Sequence, residues 1–376
     1  MSSFANYTDI TWCPNTSLIP VDFSFEPPVI LLYGGAEKIL VTYVLPFIVI
    51  FGIISNSAFL FVLVRVRQMR NATNCYLANL AICDTLYIVA AGGEKVLQYI
   101  HSPVNGNNLF LGQHGCAIIN SIIYVSYFVS FVIVTLVSLE RFYAVKYPFH
   151  HRSVTRTKRT IIQVGCSWII GGILSGLYVP AYAQLKQYCI IWPDNEQFKS
   201  FPNVIGICGC SKSWMTHLGL ALIFSTYMIS LVCNVYLYGR IISSLHQRTV
   251  SEEQSSLQSN YNHVLQVRNQ VARMLIANGV IFFVCQTPYR ILSFFGTVLN
   301  EVIRDAVWYH PAVRISHVLL YLNAAINAVV YTVGSECYRM AFREAFTGKP
   351  AKQPGEPTPV LQQAMHKRPS GTSTVI

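Results

Sequence analysis

The sequence predicts an all-α membrane protein, a seven-transmembrane helix bundle with a short amphipathic eighth helix. Three observations carry this prediction. The 376-residue chain is 53% hydrophobic and only 11% charged, whereas soluble domains run near ~25% charged. Seven apolar segments stand out, at about 39–64, 74–93, 117–139, 160–185, 213–239, 274–298 and 313–334, each long enough to cross a bilayer core as a helix. The runs are continuous and do not alternate, which speaks against barrel strands.

The elements follow in order. Residues 1–38 form a polar N-terminal segment with no cleavable signal peptide, expected outside the cell. Its Asn6-Tyr7-Thr8 and Asn15-Thr16-Ser17 match the glycosylation sequon. Residues 39–346 form the membrane domain. Its second span carries Asp84 mid-way, and its third, Ala117 to Leu139, has no Asp, Glu, Lys or Arg and is closed by Glu140-Arg141-Phe142. The loop 186–212 holds the turn signal Trp192-Pro193-Asp194-Asn195 between extended stretches, which predicts a β-hairpin lid. The loop 240–268 extends the fifth and sixth helices beyond the bilayer. Ser335 to Phe346 mixes Tyr338, Phe342 and Phe346 with Arg339 and Arg343, the pattern of a helix lying on a membrane surface. Residues 347–376 read as a disordered cytoplasmic tail.

With the amino end outside, most of the 27 Lys and Arg fall in the inner segments, among them Arg65, Arg67, Arg70, Arg152, Arg156, Lys158 and Arg159. That bias follows the positive-inside rule, and these side chains attract anionic membrane lipids. The net charge of +11 is therefore a membrane feature, and no aromatic-interleaved basic stripe points to nucleic acid. No internal repeat is visible, which argues against a duplicated transporter. The eleven cysteines have no zinc-finger spacing.

Polar groups inside the spans carry the functional signal. Asp84 needs an internal partner at its depth. Asn56, Ser130, Asn323 and Asn327 lie at comparable depth, and with Asp84 they are oxygen ligands suited to Na⁺; a hydrogen-bonded plug that only fixes packing explains them equally well. Tyr124, Tyr289, Arg290, Arg314 and His317 lie in the outer halves of three spans. A guanidinium at the depth of Arg290 demands acceptors, from a ligand or from an internal acid such as Glu94.

Leu80-Ala81-Ile82-Cys83-Asp84, Cys116, Glu140-Arg141-Phe142, Trp168, Pro288 and Asn327-Ala328-Val329-Val330-Tyr331 occur in one order on seven spans. This ordered set resembles the rhodopsin-like G-protein-coupled receptors, from about residue 39 to 346. Within them, Met69 to Leu77, Pro288-Tyr289-Arg290 and Tyr321 to Asn327 are most similar to thyrotropin-releasing-hormone receptors and neighbouring neuropeptide receptors. The resemblance implies a plasma-membrane receptor and not an enzyme. It further implies, as in the receptors the chain resembles, a small amidated peptide ligand bound between the helices and signalling through a heterotrimeric G protein of the Gq class. The ligand contacts carry over to Tyr124, Tyr289 and Arg290, with His317 where those receptors hold an arginine and Phe128 where they hold an asparagine. Glu140 then restrains Arg141, Tyr238 and Tyr331 swing towards it on activation, and Phe282 and Pro288 belong to the moving sixth helix. The resemblance also implies a Cys116–Cys208 disulfide, with Cys210 the near rival for Cys208 and Cys13–Cys189 as a second bridge.

Several family positions are altered: Gln286 stands for a tryptophan, Ser230 and Ala328 for prolines, Phe131 for a smaller residue and Phe142 for a tyrosine. These keep open a receptor-like protein that does not signal and acts by dimerising; a channel or transporter is the remaining alternative. Ile123 and Tyr321, where amine receptors hold an aspartate and opsins a lysine, exclude a monoamine receptor and a photoreceptor. Ser370, Thr372, Ser373 and Thr374 are candidate phosphorylation sites for arrestin, and Thr374-Val375-Ile376 suits a PDZ domain.

Overall fold

The structure is a computed structural model, and it describes residues 18–24, 31–147, 156–209, 212–252, 259–299 and 306–348. Asn6, Asn15, Cys13, Cys210 and the tail motifs lie outside the described residues.

Seven helices are long and apolar enough to cross a membrane. They are α1 (Gly35–Arg65), α2 (Ala72–His101), α3 (Leu109–Lys146), α4 (Lys158–Ala181), α5 (Ser213–Glu252), α6 (Ser259–Val298) and α7 (Tyr309–Gly334). A short α8 (Glu336–Thr347) follows. Each helix satisfies its own backbone, so the side chains alone decide which face turns inward. Phe47, Ile54, Ile161, Ile173, Val232 and Tyr236 point outward at 60–69% exposure, the inverse of a soluble bundle. Asn56, Asp84, Ser130, Asn234, Asn323 and Asn327 are buried.

The predicted spans hold in number and place, but their ends differ. Most helices run past the apolar runs. The fourth stops earlier than 185, because Gln184 already begins a strand. Two π turns were not legible, at Leu40–Val44 and Ile88–Gly92. The amphipathic α8 forms where predicted: Tyr338, Ala341 and Ala345 are buried while Phe346 is exposed.

The hairpin is present, as β2 (Gln184–Ile191) antiparallel to β3 (Val204–Gly209). A third strand, β1 (Ile19–Asp22), adds in parallel to β2. Nothing in its four residues announces a strand, because only the edge of β2 supplies its pairing. Trp192, Phe198, Ile190, Ile205 and Val104 make a small core beneath the hairpin, and the Trp192 indole donates to Pro202 O at 3.0 Å.

The hairpin is fixed to the start of α3. Cys208 is bonded to Cys116, with the Cα atoms 5.6 Å apart. Cys189 is also disulfide-bonded, and its partner is outside the described residues. Gly206 N donates to Asn107 Oδ1 at 3.0 Å, and Leu185 N donates to Gln113 Oε1 at 2.9 Å. Glycine suits position 206, since a Cβ would sit 3.0 Å from the Leu109 backbone.

Cys116→Ala is expected to speed amide hydrogen exchange across β2 and β3 while α2 and α7 stay protected, because a disulfide contributes about 2–4 kcal/mol to what it ties down. Unchanged exchange in the hairpin would show that the Asn107 and Gln113 bonds hold it alone.

Candidate functional site

Three polar clusters lie along the bundle axis. The first is beneath the hairpin. Arg290, 6% exposed, lies on α6 with its guanidinium 4.3 Å from the Tyr127 ring centroid and 5.0 Å from that of Tyr289. Its Nη2 donates to Gln286 Oε1 at 3.1 Å, one helical turn away. Among the described residues no carboxylate lies at ion-pair distance from it, and its buried Nε has no hydrogen-bond partner. The expected alternative partner, Glu94, instead accepts from Gln98 at 3.0 Å. Tyrosine faces are therefore the main counter-charge, worth about 0.5–2 kcal/mol each.

The structure brings most of the predicted ligand residues together. Tyr289 packs on His317 at 4.5 Å. Tyr124 neighbours Tyr289 and Arg290 and packs on Tyr178 at 3.9 Å. Arg314 stands apart, with Nη2 3.0 Å from Glu37 Oε2 on α1. Phe128 is fully buried among Tyr127 and Tyr178, as a core residue. Sequence reasoning missed Gln286 as the arginine's partner, although its spacing of four from Arg290 on a helix was the available signal.

The second cluster is mid-bundle. Asn327 donates to Asp84 Oδ2 at 2.5 Å, joining α7 to α2. Asn56 donates to Ala324 O at 2.9 Å and Ser55 to Ala325 O at 2.7 Å, joining α1 to α7. Ser130 and Asn323, the other members of the sequence-predicted set, are also buried. Asn56 Oδ1 and Asn323 Oδ1 are buried without hydrogen-bond partners among the described residues. One carboxylate with orphaned amide oxygens is a donor set that fits a hard monovalent cation.

The third cluster is at the end carrying α8. Arg141 donates to the Thr73 hydroxyl of α2, and Glu140 beside it is buried. Tyr331 is buried against Phe59 at 5.2 Å and Tyr338 at 5.8 Å. Asn74 gathers this end: its side chain donates to Met69 O at 2.7 Å and accepts from the Tyr338 hydroxyl of α8 at 2.5 Å. Asn71, which matches a sequon, caps α2 by accepting from Asn74 N at 3.0 Å.

Between the first and third clusters, Phe131 and Ser230, two of the altered family positions, lie in a seam of α3 and α5. Phe131 packs on Phe282 at 4.9 Å, Tyr127 at 4.7 Å and Tyr227 at 6.3 Å. Ser230 lies 2.9 Å from the Thr135 hydroxyl. Asn234 donates to Thr135 Oγ1 at 3.0 Å and Ser230 O at 2.8 Å, and accepts from Ser138 at 2.5 Å. The Ser138 hydroxyl also lies 3.1 Å from the Tyr238 hydroxyl, within hydrogen-bond distance. Asn234 is a hub the sequence reading passed over. Tyr238 reaches against α6 at Gly279, where a Cβ would fall 1.7 Å from its hydroxyl. Pro288 lies inside α6 and removes one backbone donor there.

A seven-helix bundle with a polar path from a hairpin-covered cluster to an arginine at the far end is the architecture of a transmembrane receptor. The family profile "7 transmembrane receptor (rhodopsin family)" matches residues 55–331. The chain belongs to this family, the rhodopsin-like or class A G-protein-coupled receptors, which are not enzymes. It is 27% identical to the thyrotropin-releasing hormone receptor of Homo sapiens over 86% of this chain and 82% of that protein. It is 26% identical to the Bos taurus form over the same shares, 86% and 82%. It is 24% identical to galanin receptor type 2 of Mus musculus over 83% and 77%. The similarity places the chain among neuropeptide receptors of the class, as a multi-pass plasma-membrane protein.

Gly279→Leu is expected to drive the Tyr238 ring out of the seam and lower the thermal midpoint of the purified receptor. Asn234→Leu should lower it by the loss of about 1–2 kcal/mol of interhelical hydrogen bonding. An unchanged midpoint in Asn234→Leu would show that the seam is held by packing alone.

Proposed function

We propose that the chain is a receptor for a small peptide that enters beneath the hairpin and signals through a heterotrimeric G protein bound at the Arg141 end. The amino terminus and hairpin then face outside and α8 faces the cytoplasm, in line with the distribution of Lys and Arg. Arg290 carries the reading: a buried guanidinium with tyrosine faces and one amide for company retains donors for a ligand's carbonyl, carboxamide or carboxylate oxygens. Tyr124, Tyr289 and His317 line its approach, and Arg314 stands at the rim. The names of the similar receptors support a peptide, and the thyrotropin-releasing-hormone likeness favours an amidated one and the Gq class.

Ligand binding is transmitted as a population shift: an agonist must engage the open form more tightly than the closed one. In this form Tyr238 is tied to Ser138, and Tyr331 packs against Phe59 and Tyr338. Opening moves α6, turns Tyr238 and Tyr331 towards Arg141, and releases Arg141 from Thr73. Glu140 stands beside that arginine as its restraint. Na⁺ held by Asp84, Ser130, Asn323 and Asn327 would favour the closed form. Arrestin on the phosphorylated tail and a PDZ protein at its end complete the proposed partners.

Cells expressing the receptor, screened with a neuropeptide library for calcium and cyclic-AMP responses, are expected to answer to a peptide. Arg290→Ala should then reduce its potency by roughly 100-fold or more, the consequence of removing a buried charged partner, and Arg290→Lys by less. Potency unchanged in Arg290→Ala would overturn this pocket. Silence despite surface expression would favour a receptor-shaped protein that does not signal. Asp84→Asn is expected to abolish the sodium sensitivity of agonist binding; persistence of that sensitivity would remove the cation site.

A further inference from the structure

A second cavity adjoins the Arg290 cluster, between α1, α2 and α7. Its volume is ≈ 180 Å³, and a pocket of about 150 Å³ already admits a benzene-sized ligand. His317 stands on the wall between the two sites, lining the cavity and stacking on Tyr289. The cavity has a polar mouth and an apolar floor. Tyr33, Glu37, Lys95 and Arg314 line the mouth, and Leu45 and Ile48 line the wall further along α1. Ile48 is eleven residues beyond Glu37, which is roughly 16 Å at the helical rise.

The charges at the mouth are not balanced by one another. Glu37 is engaged twice, by Arg314 at 3.0 Å and by Asn105 Nδ2 at 2.9 Å. Glu94 accepts from Gln98. Among the described residues Lys95 has only a neutral acceptor, Gln98 Oε1 at 3.0 Å. Of the charged groups lining the cavity, two cations, Lys95 and Arg314, therefore face one acid, Glu37, which Arg314 holds, and Lys95 is the cation whose ammonium has no anion among the described residues. Tyr33 is 8% exposed and its hydroxyl has no hydrogen-bond partner among the described residues. Burial, with Glu37 and Tyr99 adding to it, raises the Tyr33 phenol above its ordinary value, so the group stays protonated and remains a donor.

We propose that this cavity binds a carboxylate carried on an apolar body, with its oxygens on the Lys95 ammonium and the Tyr33 hydroxyl and its apolar part against Leu45 and Ile48. An anion supplies what Lys95 and Tyr33 lack, and it restores neutrality to a mouth with one positive charge in excess. A cation would meet Lys95 and Arg314, and a purely apolar ligand would leave the Tyr33 donor buried and unpaired, which costs about 1–3 kcal/mol. Two sources carry this chemistry: an alkyl carboxylate from the membrane, and the carboxyl end of a peptide with an apolar last residue. The site stands apart from the Arg290 reading and does not depend on it.

The test uses the full-length receptor in phosphatidylcholine nanodiscs, with tritiated decanoate and tritiated N-acetyl-leucine as probes. At least one acid should bind saturably above empty discs, and the tighter of the two identifies the source. Decanol and N-acetyl-leucinamide, which lack the carboxylate, should fail to compete. Lys95→Gln should weaken binding by about tenfold or more, as expected for a hydrogen bond to a charged group. Lys95→Arg should retain binding. Val318→Trp, which fills the cavity from the apolar side, should abolish it without touching the charge, and Arg290→Ala should leave it unchanged. Absence of saturable binding of both acids, equal competition by the neutral analogues, or full binding in Lys95→Gln would each overturn the proposal. Any of these leaves the peptide screen and its Arg290 variants untouched.

Discussion

The hydrogen bond from Asn327 to Asp84 joins α7 to α2 at a depth where hydrocarbon offers no competing partner. In water such a bond exchanges freely with solvent and contributes little; inside a bilayer, the alternative is an unsatisfied polar group. The same constraint turns Asn56 and Ser55 of α1 onto the α7 carbonyls of Ala324 and Ala325. It also turns Asn234 of α5 onto Thr135 and Ser138 of α3. The apolar residues of these helices can face lipid at no cost, so the polar ones define the inside of the bundle.

That rule makes the exceptions informative. Arg290 is satisfied by ring faces and by Gln286. Lys95 is satisfied by an amide, and Asn323 Oδ1 has no partner. A family whose members respond to ligands needs groups whose best partner arrives from outside. Gln286 illustrates the trade: where relatives are expected to hold a tryptophan, this chain holds the acceptor that makes a buried arginine tolerable. Ser230 is the counterpart on α5, since losing a proline restores a backbone donor and gives a hydroxyl to the Thr135–Asn234 seam. Gln286 and Ser230 thus add polar partners along the path between Arg290 and Arg141, while Phe131 fills it with an aromatic ring.

Much of this was legible along the chain. The seven spans, the amphipathic α8 and the hairpin lid follow from apolar runs, charge interruptions and one turn signal. The ordered motifs were enough to mark the resemblance to the rhodopsin-like family. Asp84 with Asn327 and Arg290 with Tyr289 were placed together, because depth along a span is a linear quantity. Less was visible where azimuth matters. Arg314 was grouped with Arg290 by depth, yet it turns to Glu37 on α1. Asn74 and Asn234 read as ordinary helix residues, and only their neighbours on other helices make them hubs.

The sequence by itself determined how many times the chain crosses the membrane, which groups lie at which depth, and the family to which the motifs belong. The physical reason is that helix length, hydropathy and charge bias are local properties read against a slab of fixed thickness. The tertiary structure alone decided which buried groups meet. It placed β1 on the edge of β2, gave Arg290 to Tyr127 and Gln286, and left Lys95 without an anion among the described residues at a cavity mouth. Those pairings depend on the rotation and packing of helices far apart in the chain, which no spacing along one span encodes.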